Sequence, residues 1–144
     1  MFLDDITTDF RFRTKPVRID YDKMIAFAEE YDPRRIHTDP EYAKTTRFGQ
    51  VIAPGLMTFL LVWARVTESD LFGDELIAGK STRVEWHKPV YADDVLYGEL
   101  RVTRVERRNN YNGICETEME IYNQNGVCVM SNVTESVVRY RIQE

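Results

Sequence analysis

The stretch Pro54-Gly55-Leu56-Met57-Thr58-Phe59-Leu60-Leu61-Val62-Trp63-Ala64-Arg65-Val66 decides the fold. Leu56, Met57, Phe59, Leu60, Leu61, Val62, Trp63, Ala64 and Val66 leave almost no polar face on a helix opened by Pro54-Gly55. Such a helix is expected to be buried on nearly all sides, so the rest of the chain has to supply its enclosure. The uncharged run that covers most of it, residues 49–64, falls short of the roughly 18 residues needed to span a bilayer and is broken by Pro54 and Gly55. It reads as a core helix, and no membrane association is expected.

Downstream of Gly73 the period changes to 2. Leu96, Gly98, Leu100 and Val102 alternate with Tyr97, Glu99, Arg101 and Thr103, and Cys115, Thr117, Met119 and Ile121 alternate with Glu116, Glu118, Glu120 and Tyr122. Each segment is a strand with one wet face. Turns are expected at 109–113 and 123–126, with Asn125-Gly126 as a two-residue hairpin turn. Strands over 78–90 and 127–141 complete an antiparallel meander.

Upstream the chain is helical. Asp20 is a candidate N-cap for a helix over 21–31, whose apolar face is Met24, Phe27, Ala28 and Tyr31. Asp32 precedes Pro33, which disfavours the α conformation, so the helix is expected to stop with Asp32 at its exit. Asp39-Pro40-Glu41 reads as a second N-cap, with proline at the first position of a short helix reaching Lys44. Residues 10–19 alternate imperfectly, and Pro16 there indicates an edge strand or a loop. Helices followed by hairpin-connected strands define an α+β fold, with a curved antiparallel sheet wrapped around the central buried helix. The 144 residues suit one core, so a single domain over 1–144 is expected.

The formal charge of −5 provides no overall positive field, and no nucleic-acid partner is expected. The first twelve residues lack a basic segment followed by an apolar one, so a cytoplasmic location is the reading. Cys115 and Cys128 fall on neighbouring predicted strands, where they are either two free thiols of a reducing compartment or a single bridge. No Cys/His cluster has the spacing of a metal site.

Two features could carry chemistry. Asp32-Pro33-Arg34-Arg35-Ile36-His37 places a carboxylate and an imidazole five residues apart beyond a helix exit, in a loop where both can turn to one point. A carboxylate can deprotonate a water, and an imidazole can exchange a proton at neutral pH. Gly55 opens the apolar helix, where backbone N–H groups lack partners and would stabilise a developing oxyanion.

Three runs in order, 27–33 (FAEEYDP), 36–43 (IHTDPEYA) and 48–58 (FGQVIAPGLMT), resemble the MaoC-like dehydratases, the (R)-specific enoyl-CoA hydratases of hot-dog fold. The segment 86–94 (WHKPVYADD) extends the resemblance over most of the chain. It implies reversible hydration of a 2-enoyl-CoA, with the water held by catalytic Asp32 and His37 and the thioester carbonyl received by the Gly55 N–H. It also implies a homodimer or a dimer of dimers, and no cofactor beyond the coenzyme A of the substrate. Arg34, Arg35, Arg47, Arg83 and Lys88 could neutralise the coenzyme A phosphates, and Arg83 and Lys88 are the chosen candidates. Two residues depart from the pattern: Arg34-Arg35 stands where hydratases often show Asn-Pro, and Pro54 where a His commonly precedes the glycine. Two other activities suit the same site. A water held by Asp32 could attack the thioester carbon, as in a hot-dog thioesterase, or the chain could bind acyl thioesters without turnover.

Overall fold

The helix that opens at Pro54-Gly55 lies against one face of an antiparallel sheet. The structure, a computed structural model, describes residues 1–141, and the last three residues of the expected domain lie outside it. Its elements are β1 (Arg11–Arg13), β2 (Val17–Arg18), α1 (Tyr21–Tyr31), α2 (Arg35–Thr38), α3 (Pro40–Lys44), α4 (Gly55–Glu68), β3 (Leu76–Trp86), β4 (Val95–Arg107), β5 (Asn112–Tyr122) and β6 (Cys128–Arg139). The sheet runs β1-β4-β5-β6-β3, and β2 also pairs with β4. This is the α+β fold expected, with the sheet curved about α4.

The two-residue period found its core. Leu96 and Leu100 of β4, Met119 and Ile121 of β5 and Met130 of β6 are buried with Met57, Phe59, Val62 and Val66 of α4. β1 and β2 form one interrupted edge. Arg13 pairs with Glu99 and Val17 with Leu96, and the break between them contains Pro16, which has no N–H for a ladder. Thr14 closes the gap from both sides: its N–H donates to the Gly98 carbonyl at 2.9 Å, and its Oγ1 accepts from the Gly98 N–H at 2.8 Å.

Several local expectations change. The central helix is covered on one side only. Met57, Phe59, Val62 and Val66 are buried, whereas Leu56 and Leu60 remain 59% and 50% exposed. One sheet can wrap only part of a helix, and among the described residues nothing covers Leu56 and Leu60 on the far side. Tyr31, expected on the buried face of α1, is exposed and packs its ring on Phe27 at 5.0 Å. Asn125-Gly126 is not a two-residue turn. The Gly126 N–H donates to the Asn123 carbonyl at 3.0 Å and only Gly126 of the pair has positive φ, whereas a type I′ turn needs it at both central residues. Residues 3–5 form a 3-10 turn that the reading missed, and it buries Leu3 against Val102, Cys115 and Val138. Both cysteines are free thiols. Among the described residues no helix is long and apolar enough to cross a membrane.

Candidate active site

Asp32 is placed by the end of α1. The helix starts on the Asp20 carboxylate, which accepts from the Lys23 N–H at 3.0 Å. It ends where the Asp32 N–H donates to the Ala28 carbonyl at 2.9 Å, with Asp32 itself at φ −153° and ψ 74°, outside the helical region that Pro33 disfavours. The sequence suggested a plain loop from there to His37. The structure instead folds residues 35–38 into one helical turn, α2, in which the His37 N–H donates to the Arg34 carbonyl at 2.9 Å. That turn carries the imidazole back under the carboxylate.

His37 is buried at 5% exposure, and its Nδ1 lies 2.7 Å from the Ile52 carbonyl oxygen. A carbonyl only accepts, so Nδ1 carries a hydrogen and Nε2 is the working atom. Nε2 faces Asp32 Oδ2 at 3.4 Å. This separation is too long for a strong direct bond, and both atoms can contact one water. The other side of the carboxylate belongs to Arg34, whose Nε donates to Oδ1 and whose Nη2 donates to Oδ2, both at 2.7 Å. The hydrogen bond from Arg34 holds the Asp32 carboxyl below its ordinary pKa, helped by the charges of His37 and Arg34 and opposed by burial. Arg35 turns elsewhere, stacking on the Tyr42 ring at 4.0 Å and pairing with Asp39 at 3.6 Å.

The segment between α3 and α4 ties this pair to the helix mouth. The Ile52 N–H donates to the Ile36 carbonyl at 3.2 Å, and the Ala53 N–H donates to the Val90 carbonyl at 2.8 Å. Two residues later Gly55 begins α4 with Pro54 at the N-cap. An N–H in the first turn has no carbonyl one turn behind it, so the Gly55 N–H is available to a ligand. Any larger residue here would force Trp86 or the first turn of α4 to move, because a Cβ would lie 2.4 Å from Nε1 and 2.5 Å from Cε2 of the indole.

Asp32, His37, Gly55, Thr58 and Trp86 line one cavity of about 490 Å3. Arg34, Arg47 and Lys88 line it as well, and all three are exposed. Lys88 is therefore where a ligand anion could meet it. Arg83 is not in the lining. It sits on β3 with its guanidinium on the Glu85 carboxylate, and Arg47 is the cation the cavity has in its place. Cys115 offers no nucleophile, since burial pushes its thiol up to about 11.

The sequence pointed to Asp32, His37 and Gly55, which line one cavity, but offered Arg34 only as a cation for the coenzyme A phosphates and missed Trp86 as a neighbour of Gly55. The Arg34 contact had a signal: in an extended Asp-Pro-Arg segment, residues two apart project to the same side. Trp86 had none, because its contact with Gly55 joins the end of β3 to the start of α4.

A family model described as a MaoC like domain matches residues 5–124. The chain belongs to the MaoC-like domain family. It is 32% identical over 140 residues to the uncharacterized protein YdeM of Bacillus subtilis, a match covering 96% of this chain and 99% of that one. Among solved structures, the MaoC-like dehydratase from Rhodospirillum rubrum superposes with a TM-score of 0.89 at 28% identity, covering 99% of both chains. The R-hydratase PhaJ1 from Pseudomonas aeruginosa superposes with a TM-score of 0.74 at 21% identity, covering 99% of this chain and 92% of that one. That likeness is one of fold. The MaoC-like domain is thus a hot-dog fold here, and membership supports hydratase or dehydratase chemistry in general terms.

Proposed function

We propose that the protein reversibly hydrates a 2-enoyl thioester of coenzyme A, forming the 3-hydroxyacyl thioester by syn addition. The observation that carries this reading is the placement of Asp32 Oδ2 and His37 Nε2, 3.4 Å apart, in the same cavity as the Gly55 backbone. A carbonyl at the Gly55 N–H and a water at the carboxylate and imidazole supply the two ends that conjugate addition needs.

The steps balance around that contact. Asp32 takes a proton from the water as its oxygen bonds to C3, and the electron pair of the double bond moves to C2 and the thioester oxygen. The Gly55 N–H and the positive end of α4 stabilise the resulting enolate. Protonated His37 delivers a proton from Nε2 to C2. A proton then passes from Asp32 to His37 across the 3.4 Å contact and restores the pair.

The cavity volume falls within the roughly 300–1,000 Å3 of small-molecule sites, and the coenzyme A phosphates are assigned to exposed Arg47 and Lys88 at its margin. The test follows the conjugated enoyl thioester absorbance with crotonyl-CoA and longer 2-enoyl-CoAs. Loss of absorbance without release of free thiol is expected. Thiol release would turn the reading to a thioesterase, and binding without any change to a non-catalytic acyl-thioester protein.

The working unit in this reading is a homodimer. Leu56 and Leu60 of α4 and Leu76, Ile77 and Trp86 of β3 are exposed together with the free edge of the sheet, an arrangement soluble proteins normally cover. Light scattering coupled to size exclusion is expected to give twice the 17.0 kDa chain mass, and Leu60→Lys is expected to shift it toward one. A wild-type monomer at micromolar concentration would remove the dimer from the account.

A further inference from the structure

We propose that Arg34 is the positioning residue of the catalytic carboxylate, turning Asp32 Oδ2 toward His37 and neutralising the base between turnovers. This rests on the hydratase reading of the same site.

The geometry is that of a fork. Nε and Nη2 hold one oxygen each at 2.7 Å, so the plane of the carboxylate is set by the plane of the guanidinium. Asp32 otherwise has two side-chain bonds free to turn at the end of α1, and its side chain is 24% exposed. Without the fork, Oδ2 could rotate away from Nε2 toward solvent. His37 cannot follow, because its ring is buried and its Nδ1 is tied to the Ile52 carbonyl. Carboxylate orientation is therefore the adjustable part of the pair, and Arg34 is what adjusts it.

The position of Arg34 also excludes it from the phosphate-binding role assigned to the other cations of the cavity. A guanidinium bonded to the attacking base lies within a few ångströms of the reacting carbons. The coenzyme A diphosphate is separated from the thioester by the length of the pantetheine arm, so it cannot reach Arg34 while the thioester carbonyl is at Gly55. The groups that face Asp32 are Arg34 from its own segment and His37 from α2, with Arg47, His87 and Lys88 on the remaining cavity walls. Only Arg34 makes a bidentate contact.

The fork has a chemical cost: it lowers the basicity of Asp32 and gains alignment in exchange. Asp32 remains ionised to lower pH, so the acid limb of kcat/KM is expected below the ordinary carboxylate range. Arg34→Gln is expected to reduce kcat by about 10- to 100-fold through misalignment, with KM for the enoyl thioester little changed. Its acid limb is expected to move up in pH. Arg34→Lys keeps the charge without the fork, so the acid limb is expected to stay near that of the wild type while kcat remains low.

A second measurement does not depend on turnover. Carbon-13 NMR titration of the aspartate carboxyls, with Asp32 assigned through Asp32→Asn, is expected to show the Asp32 titration moving up in Arg34→Gln while the thermal midpoint changes little. If no enoyl thioester is consumed by the wild type but the titration moves as expected, the hydratase reading fails and the Arg34–Asp32 contact stands as a binding-site device. An unmoved titration, a kcat at the wild-type level in Arg34→Gln, or a defect confined to KM overturns the positioning role. The last of these would make Arg34 a substrate ligand instead.

Discussion

With Asp32 replaced by asparagine, kcat for crotonyl-CoA hydration is expected to fall by about a thousandfold, the range in which general base catalysis contributes. The amide has the shape of the carboxylate but cannot take the proton that the water must lose. The bonds that place residue 32 survive the change, since its N–H still donates to the Ala28 carbonyl and Pro33 still ends α1. The thermal midpoint and circular dichroism should therefore remain close to those of the wild type. Arg34 would lose an anionic partner, but its side chain is 74% exposed and water can solvate it. His37→Gln tests the other half of the pair. The double variant is expected to be scarcely slower than the worse single one, because two groups that act on one water fail together. A kcat for Asp32→Asn within threefold of wild type would rule out Asp32 as the base.

The second large effect is expected at the helix mouth. Gly55→Ala places a Cβ 2.4 Å from Trp86 Nε1, and no atom pair tolerates that distance. Either the indole swings into the cavity and obstructs the approach to the N–H meant for the thioester oxygen, or the first turn of α4 shifts and displaces that N–H. Loss of an oxyanion donor costs about 100- to 1,000-fold, and a fall in kcat of that order is expected. Trp86 is half exposed and can move at small cost, so the thermal midpoint should drop less than the rate. A second substitution separates the steric cause from other ones. Trp86→Ala removes the obstacle, so the penalty for Gly55→Ala should shrink in the Trp86→Ala background, measured as a double-mutant cycle on kcat. Equal penalties in both backgrounds would show that the clash is not the reason.

How far the sequence could be read depended on how local the cause was. Periodicity identified β4 and β5 residue by residue, because the inward positions of an amphipathic strand follow from its own pattern: Leu96, Leu100, Met119 and Ile121 are in the core as expected. The caps were equally local, and Asp20 and Asp39 accept from Lys23 and Tyr42 as N-caps do. α4 was legible as a helix but not as to what covers it. Composition gives the number of apolar residues on a helix, whereas the exposure of Leu56 and Leu60 depends on how far one sheet can curve. α2 escaped because four residues carry no period, and tertiary contacts hold it in place. At the site, the spacing of Asp32 and His37 pointed to proximity, and the resemblance assigned the Gly55 role. The Arg34 fork and the Trp86 contact depend on where α1 ends and where β3 stops.

The strap from Val51 to Pro54 has an evolutionary consequence. It is secured by the Ile52 N–H on the Ile36 carbonyl, the Ala53 N–H on the Val90 carbonyl, and the Ile52 carbonyl on the His37 ring. Apart from the histidine, every atom in these links belongs to the backbone, which all residues other than proline share in full. Residues 36, 52 and 90 can therefore drift in identity while the acid, the base and the helix mouth keep their separation. A one-residue insertion or deletion within residues 52–55 has no such freedom, since it would change the spacing between these links and the helix mouth. Length in this segment is thus under tighter constraint than composition, and variation should accumulate there as substitutions rather than as indels.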